Sequence, residues 1–211
     1  MTVPLPSGRP QPGHPPMKPR DAATLIIVDR ASGIPKVLMG KRRMDMKFMP
    51  GKYVFPGGRV DKGDATVPAS DELGESEVAR LLVDMKGRQS ASRARALALA
   101  AVRETYEEAG IVIGGPLVGS KRPKDPSWLS FFEHGFAPRL APITFFARAI
   151  TPPGRPRRFD TRFFCIDAAL IAKRCDPPQD ELSDLVWMQL EDARNLDLPP
   201  ITRVILEDLI G

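Results

Sequence analysis

Residues 103–111 read RETYEEAGI, and this run sets three carboxylates and one arginine within six residues before a glycine. On a helix, residues three and four apart share one face, so Glu104, Glu107 and Glu108 point the same way, with Arg103 four residues before Glu107. Three like charges at this spacing favour a compensating cation, and hard divalent ions such as Mg²⁺ prefer carboxylate oxygens. The other interpretation is an ordinary solvated helix face, since Glu and Arg are good helix formers.

A second informative segment lies upstream of this run. Residues 53–60 read YVFPGGRV, a short apolar strand that leads into a Pro-Gly-Gly turn. Glycines in such a turn allow positive φ angles and let the backbone approach a ligand closely. Together the two segments resemble the box of the Nudix hydrolases, G-x5-E-x7-R-E-U-x-E-E-x-G-U, in which U is a bulky apolar residue. Gly58 matches the first glycine, and residues 103–111 match the second half.

The match departs from the box in three ways. Asp64 stands at the first acidic position, one methylene short, and Thr105 stands at the apolar position after Arg-Glu. The spacer before Arg103 has 38 residues, 65–102, where the box has seven. A Nudix subgroup that includes the peroxisomal coenzyme A diphosphatases carries an insertion at this place. Three further segments also resemble that subgroup: residues 48–51 (FMPG), 101–104 (AVRE) and 158–164 (RFDTRFF).

The resemblance implies an α/β (α+β mixed) fold, a Nudix α/β/α sandwich with a mixed β-sheet between helices. We expect one Nudix hydrolase domain over residues 21–211, preceded by a disordered Pro-rich arm over residues 1–20. The hydrophobic pattern predicts these elements: strands at 23–28, 36–40, 52–55, 143–150, 158–166 and 185–190, and helices at 71–86, from Ser90 or Ser92 to Ala109, at 128–134 and at 201–210, with Gly110 as a left-handed C-cap.

The insertion within the box, residues 65–95, has two interpretations. It covers the active site and helps to select a bulky substrate, or it is a surface excursion, since long loop insertions cost little closure entropy. Because it departs and returns beside the proposed metal site, the first interpretation is slightly favoured.

The resemblance also implies roles for the site residues, with Mg²⁺ or Mn²⁺ as cofactor. The implied metal ligands are the Glu104, Glu107 and Glu108 side chains and the Gly57 carbonyl. Arg103 is expected to orient the glutamates by charge-assisted hydrogen bonds. Asp64 is expected to join the metal through water. For the general base two candidates stay open: Glu104, and Glu181 on the loop before the last strand.

The implied substrate is a nucleoside diphosphate linked to another group, because metal ions neutralise a diphosphate and activate water. Coenzyme A or acyl-CoA leads by subgroup resemblance. ADP-ribose, NADH, dinucleotides and capped RNA are alternatives, as is a non-catalytic domain that senses a nucleotide. Arg43, Arg59 and Arg158 are candidate phosphate contacts. Arg158 and Arg162 also flank Asp160, and an ion pair with Asp160 explains them slightly better.

Composition and charge limit which other classes of protein the chain can belong to. A net charge of +5 and a pI of about 9.4 suit a polyanionic substrate, but the aromatic residues are not interleaved with basic ones as in nucleic-acid-binding surfaces. With no run of eighteen apolar residues, no membrane span is expected. Two cysteines in 211 residues do not suggest a disulfide scaffold, so a reducing cytoplasm is the default. Because many Nudix proteins are dimers, a homodimer stays open.

Overall fold

The computed structural model describes residues 2–3, 17–83, 85–117, 119, 122–155 and 157–211. The strands, in chain order, are β1 Thr2–Val3, β2 Arg20–Asp29, β3 Lys36–Arg42, β4 Tyr53–Val54, β5 Gly57–Arg59, β6 Ile111–Val112, β7 Gly114–Pro116, β8 Phe136–Pro138, β9 Thr144–Ile150, β10 Phe159–Asp167, β11 Lys173–Arg174 and β12 Leu182–Gln189. The α-helices are α1 Glu75–Val83, α2 Ala91–Ala109, α3 Pro126–Glu133, α4 Leu190–Ala193 and α5 Pro200–Ile210.

The main sheet is mixed and lies between helices. Its strand order is β1-β9-β10-β2-β3-β12, with β4 paired to β3 and β5 paired to β2. β10 runs parallel to β2 and antiparallel to β9. In β2 the side chains alternate between two hydrophobic clusters, as successive residues of a strand must. Leu25 and Ile27 belong to the cluster that includes α2, whereas Ile26 and Val28 belong to the cluster that includes α5. The predicted fold class, a mixed sheet between helices, is confirmed.

Helix α2 carries the acidic run and has well-defined ends. The Ser90 side chain accepts a hydrogen bond from the amide of Arg93 at 3.4 Å, as an N-cap residue does. Gly110 ends the helix with φ 63°, in the left-handed region that favours glycine. A Cβ at Gly110 would also lie 1.9 Å from the Cys175 carbonyl oxygen. The predicted helix up to Ala109, with its glycine cap, is therefore present.

Several predicted boundaries differ from the structure. The helix predicted at 71–86 covers only Glu75–Val83. It starts late because the Asp71 carboxylate accepts hydrogen bonds from the amides of Leu140 and Ala141, at 2.6 and 2.8 Å. The last strand begins earlier than predicted, at Leu182, because its ladder with β3 reaches Arg42.

The amino-terminal arm is only partly described. Residues 4–16 lie outside the described residues. Thr2–Val3 pairs in parallel with β9, opposite Arg148 and Ala149, so the expectation of an arm without structure is wrong for these two residues. Arg20, the last residue of the predicted arm, begins β2.

The insertion packs against α2 and β9. Helix α1 contacts α2 and β9, and the Glu77 carboxylate accepts a hydrogen bond from the Phe145 amide at 2.5 Å. Arg95 on α2 binds Glu72 through two hydrogen bonds of 2.7 and 2.9 Å. In the described part of the insertion, which excludes residue 84, the hydrogen bonds and ion pairs of Glu72 and Glu77 go to Arg95, Arg80 and Phe145 and not to the acidic run. These contacts favour the interpretation of the insertion as a surface excursion that packs against the domain over the interpretation that it covers the active site.

None of the helices within the described ranges is long and apolar enough to cross a membrane.

Candidate active site

The acidic face of α2 lies directly against the Pro-Gly-Gly segment, whose two glycines belong to strand β5. The expectation of positive φ angles is wrong for Gly57 and Gly58, because both pair with β2 in extended conformation. The Gly57 amide donates a hydrogen bond to Oε2 of Glu108 at 2.9 Å. A Cβ at Gly58 would lie 2.4 Å from the carboxylate carbon of Glu104, a distance that real Cβ atoms do not show. A Cβ at Gly57 would lie 2.5 Å from the Ala23 carbonyl oxygen. Neither position therefore has room for a side chain, and the structure joins the two halves of the box.

Arg103 holds the centre of the site. Its Nη1 donates to Oε1 of Glu104 at 3.0 Å and to Oε2 of Glu107 at 2.9 Å. Its Nη2 donates to the carbonyl oxygen of Arg59 at 2.9 Å. The guanidinium is 4% exposed. Burial alone would lower the pKa of Arg103, but hydrogen bonding to Asp64 and the surrounding carboxylate charges raise it above its ordinary value.

Asp64 serves a different purpose from the one expected. It is 1% exposed, and its two oxygens accept four hydrogen bonds. The donors are Nε of Arg103 at 2.9 Å, Nη2 of Arg103 at 3.2 Å, Nε1 of Trp128 at 2.9 Å and the amide of Asp61 at 2.8 Å. A carboxylate so fully bound by N–H groups anchors Arg103. The expectation that Asp64 joins a metal through water does not agree with this geometry.

Two of the three glutamates have pKa values above the ordinary value for this side chain. Burial raises the pKa of Glu104 to about 7, partly offset by the positive charge of Arg103. Burial likewise raises the pKa of Glu108 to about 8, and the charges of Glu104 and Glu181 add to the shift. Such shifts mean that the negative charge of these carboxylates is poorly compensated by the protein alone.

The donor set fits a hard divalent cation. Oε1 of Glu107 is buried and has no hydrogen-bond partner within the described structure, and Glu104 uses Oε1 on Arg103. Carboxylate oxygens without protein partners are the ligands that Mg²⁺ and Mn²⁺ prefer. Among the described residues, no three His, Cys, Asp or Glu side chains already converge as a ligand group, because here the carboxylates are gathered around Arg103. The Gly57 carbonyl stays a predicted ligand.

The loop before β12 brings a further acid to the same end of α2. The Gln179 amide donates to the main-chain carbonyl of Glu107 at 2.9 Å. The Glu181 carboxylate lies 3.5 Å from Nη2 of Arg42, and its charge contributes to the raised pKa of Glu108. The structure therefore brings Glu181 close to the acidic face of α2. Neither Glu181 nor Glu104 is singled out as the base by these contacts.

The three candidate phosphate-binding arginines lie in different surroundings. Arg43 is paired with Asp45 at 2.9 Å and with Asp180 on the loop that precedes Glu181. The side chain of Arg59 is exposed at the end of β5, next to the site.

Arg158 lies away from these contacts. It donates to the main-chain carbonyls of Thr151 at 3.0 Å and Met17 at 2.6 Å, and among the described residues no hydrogen bond or ion pair joins it to the acidic run. Its neighbour Arg162 pairs with Asp160 at 2.6 Å, as the ion-pair interpretation of this segment predicts for Arg162.

Two residues near the site were not predicted from the sequence. Trp128, on α3, binds Asp64, and Arg42, at the end of β3, contacts Glu181. In the sequence, Arg42 belongs to the basic run 41–43 (KRR), and nothing in that run indicates what it binds. The position of Trp128 in a short apolar helix indicated a core residue, and nothing in the local pattern indicated its polar contact.

Comparison with known proteins agrees with this fold. No protein-family model matches the chain. Nudix hydrolase 7 of Caenorhabditis elegans is 29% identical over 186 residues, which cover 82% of this chain and 52% of that protein. The Nudix hydrolase NudL of Klebsiella aerogenes is 42% identical over 62 residues, 29% of this chain and 51% of that protein. The matches thus span about half the length of these curated relatives.

Solved structures give the same fold. A Nudix hydrolase from Alicyclobacillus acidocaldarius superposes with a TM-score of 0.65 at 27% identity, covering 90% of both chains. The Nudix domain of Shewanella oneidensis NrtR, solved with ADP-ribose, gives a TM-score of 0.52 at 12% identity, covering 92% of this chain and 88% of that one. The second likeness concerns the fold alone.

The mixed sheet between helices is the fold of the Nudix hydrolases that this chain resembles. With the sequence relatives and the structural neighbours, this fold supports placing this chain in the Nudix hydrolase superfamily.

Proposed function

We propose that this chain is a divalent-metal-dependent Nudix diphosphatase. Its substrate is a nucleoside diphosphate linked to another group, and the reaction is hydrolysis of the diphosphate bond. The observation that carries the proposal is the contact of Arg103 with Glu104 and Glu107 beneath the Gly57–Gly58 turn. Three gathered carboxylates, two with raised pKa values and the third with an unpartnered oxygen, are typical of functional sites.

The carboxylates of Glu104, Glu107 and Glu108 would hold the metal, which supplies charge neutralisation at the diphosphate and a more acidic bound water. Arg103 keeps two of these carboxylates in place by charge-assisted hydrogen bonds. The proton of the attacking water goes to Glu181 or to Glu104. Glu181 pairs with Arg42 instead of Arg103, so it can accept a proton without giving up a contact that holds the other glutamates in place.

Within this reaction we propose coenzyme A or acyl-CoA as the leading substrate. The products would be 4′-phosphopantetheine, or its acyl form, and adenosine 3′,5′-bisphosphate. Support comes from the insertion at residues 65–95 and from the flanking segments that resemble the coenzyme A diphosphatase subgroup. The additional 3′-phosphate suits a chain of net charge +5 with exposed Arg59 and Arg43 near the site.

The test is a substrate panel with each product identified by mass spectrometry. Coenzyme A, acetyl-CoA, ADP-ribose, NADH, a diadenosine polyphosphate and capped RNA are incubated with Mg²⁺ or Mn²⁺, and Glu107→Gln serves as the inactive control. Turnover of coenzyme A above the others supports the full proposal. If the protein prefers another compound, the proposed diphosphatase activity stands and the coenzyme A assignment is wrong.

Binding of a nucleotide with no turnover of any compound would instead favour the sensing domain. The acid set argues against that outcome, since Glu104, Glu107 and Glu108 are all present. Equal activity of Glu107→Gln and the unaltered chain would reject the metal assignment.

A further inference from the structure

The buried indole of Trp128 donates a hydrogen bond into the acidic site from a separate helix. Its Nε1 lies 2.9 Å from Oδ1 of Asp64, and the same oxygen accepts Nε of Arg103 at 2.9 Å. Trp128 is 0% exposed. A buried carboxylate depends on such donors, because a charge away from water is costly unless it is hydrogen-bonded. Trp128 is therefore one of the groups that determine where the carboxylate of Asp64 lies.

Contacts other than the one with Asp64 also hold the indole in position. Helix α3, which carries Trp128, is capped by the side chain of Asp125 at its amino end. Further along, Oγ of Ser130 lies 2.6 Å from the hydroxyl of Tyr106 on α2. The ring of Phe131 meets the ring of Tyr106 edge-on, with centroids 5.3 Å apart. Because α3 is attached to α2 by these contacts, Trp128 presents its N–H from a fixed point.

We propose that Trp128 is a positioning residue for the metal-binding glutamates, an inference that rests on the proposed function. The contacts run from Trp128 to Asp64, from Asp64 to Arg103, and from Arg103 to Glu104 and Glu107. The indole fixes the carboxylate of Asp64, and that carboxylate fixes the guanidinium that directs one oxygen of each glutamate. Outer partners of this kind change metal affinity by about 10–100-fold when they are removed.

The short acid at position 64 and the indole form a matched pair. A glutamate there would carry its carboxylate roughly 1.5 Å further from the backbone, the length of one C–C bond. The site is buried and already filled by Trp128 and Arg103, so the longer side chain would displace one of them. Asp64→Glu restores the acid of the box pattern, yet we expect it to damage the site while Trp128 is present. With leucine at position 128 there is room for the longer acid.

The experiment compares Trp128→Phe, Asp64→Glu, Trp128→Leu and the double variant Asp64→Glu/Trp128→Leu. Mn²⁺ affinity is measured by titration calorimetry on each. We expect Trp128→Phe, which keeps an aromatic ring and removes the N–H, to bind Mn²⁺ about tenfold more weakly. Asp64→Glu should also weaken binding. If the losses of Mn²⁺ affinity in Asp64→Glu and Trp128→Leu were independent, their sum would give the loss in the double variant. We expect the double variant to bind Mn²⁺ more tightly than that sum predicts, because the two changes compensate each other.

A second measurement uses the metal-free protein. The chain has two tryptophans, Trp128 and Trp187, so its indole N–H region contains two signals, and Trp128→Phe identifies one of them. Asp64→Asn replaces the charged acceptor, and it should shift the Trp128 signal and speed its exchange with solvent. The Trp187 signal is the internal reference and should stay in place.

The matched control is Phe132→Leu, a change in a buried ring of the same helix that makes no polar contact with Asp64. It should lower the melting temperature and leave Mn²⁺ affinity unchanged. Unaltered Mn²⁺ affinity in folded Trp128→Phe, or additive losses in the double variant, would overturn the inference and leave the proposed function intact. If the unaltered chain itself binds no Mn²⁺, both the inference and the metal-dependent function are rejected.

Discussion

Nη1 of Arg103 lies 2.9 Å from Oε2 of Glu107, one turn further along α2, and the same nitrogen reaches Oε1 of Glu104 at 3.0 Å. One cation thus binds two acids of its own helix while Asp64, from a distant part of the chain, binds the remaining edge of the guanidinium. The planar fork of arginine makes this three-way contact feasible, since its N–H donors spread over two edges, with Nη1 directed at Glu104 and Glu107 and with Nε and Nη2 directed at Asp64.

The first prediction concerns that fork. Arg103→Lys keeps the charge but supplies a single ammonium in place of five directed donors. The ammonium cannot reach all three acids, so at least one buried carboxylate loses its partner. We expect the free energy of unfolding to fall by about 3–5 kcal/mol, the cost of breaking a buried ion pair, and turnover to fall with it.

Urea unfolding and kcat/KM are the measurements for this variant. Arg80→Lys is the control, because the Arg80 side chain is half-exposed and a pair reached from solvent contributes about 0–1 kcal/mol; Glu77 keeps its hydrogen bond from the Phe145 amide in this variant. If Arg103→Lys matched Arg80→Lys in both quantities, the central role of the guanidinium would be wrong.

Much of α2 could be predicted from the sequence because its signals are local. Ser90 caps the start, Gly110 ends the helix, and the spacing of the glutamates places them on one face. The contact between Trp128 and Asp64 joins residues 64 positions apart, and no pattern in either segment indicates it. The boundaries of α1 were missed for a similar reason, because Asp71 binds main-chain amides of residues 140 and 141 that only the folded chain brings near.

The second prediction tests the close contact at the turn. Gly58→Ala would place a Cβ 2.4 Å from the Glu104 carboxylate carbon, so the glutamate or the turn must move. Such overpacking costs about 1–3 kcal/mol, and displacement of a metal ligand should lower turnover well beyond the loss of stability. The measurements are melting temperature and the Mg²⁺ dependence of kcat.

Gly74→Ala is the matched control for that variant, because a Cβ there would meet only the Ser76 hydroxyl, at 3.9 Å. It should leave both quantities near those of the unaltered chain. Full activity with normal Mg²⁺ dependence in Gly58→Ala would show that the turn does not determine the position of Glu104.

The third prediction concerns pH in the metal-free protein. The pKa values of Glu104 and Glu108 in the folded chain are about 7 and about 8, above the ordinary value of 4.5. The folded state therefore binds protons more tightly than the unfolded state. The stability contributed by these groups is complete below about pH 4.5 and is lost as the pH rises through 7 and 8.

Melting temperature is measured with EDTA across pH 5.5 to 9, and it should fall toward the alkaline end. Added Mg²⁺ should raise it most at high pH, where the carboxylates are ionised and bind the ion. Glu108→Gln, which cannot ionise, should flatten the EDTA curve. A metal-free melting temperature that rises from pH 6 to 9 would contradict the raised pKa values.

The last prediction distinguishes the two candidate bases. The Glu181 carboxylate lies 3.5 Å from Nη2 of Arg42 and makes no direct contact with Arg103, so its loss should leave the arrangement of the α2 glutamates unchanged. If Glu181 accepts the proton of the attacking water, Glu181→Gln should lower kcat by more than about tenfold, within the 10²–10⁴-fold range of general acid–base catalysis or just below it. Mn²⁺ affinity should stay close to that of the unaltered chain.

Asp184→Asn is the control on the same strand, since Asp184 is exposed and lies beyond the loop. It should change neither kcat nor Mn²⁺ affinity. A near-normal kcat in Glu181→Gln would transfer the proton-accepting role to Glu104, whose pKa of about 7 suits a base that works near neutral pH. Glu104→Gln would then remove a metal ligand and the base together, so it should lower both kcat and Mn²⁺ affinity, whereas Glu181→Gln would lower neither.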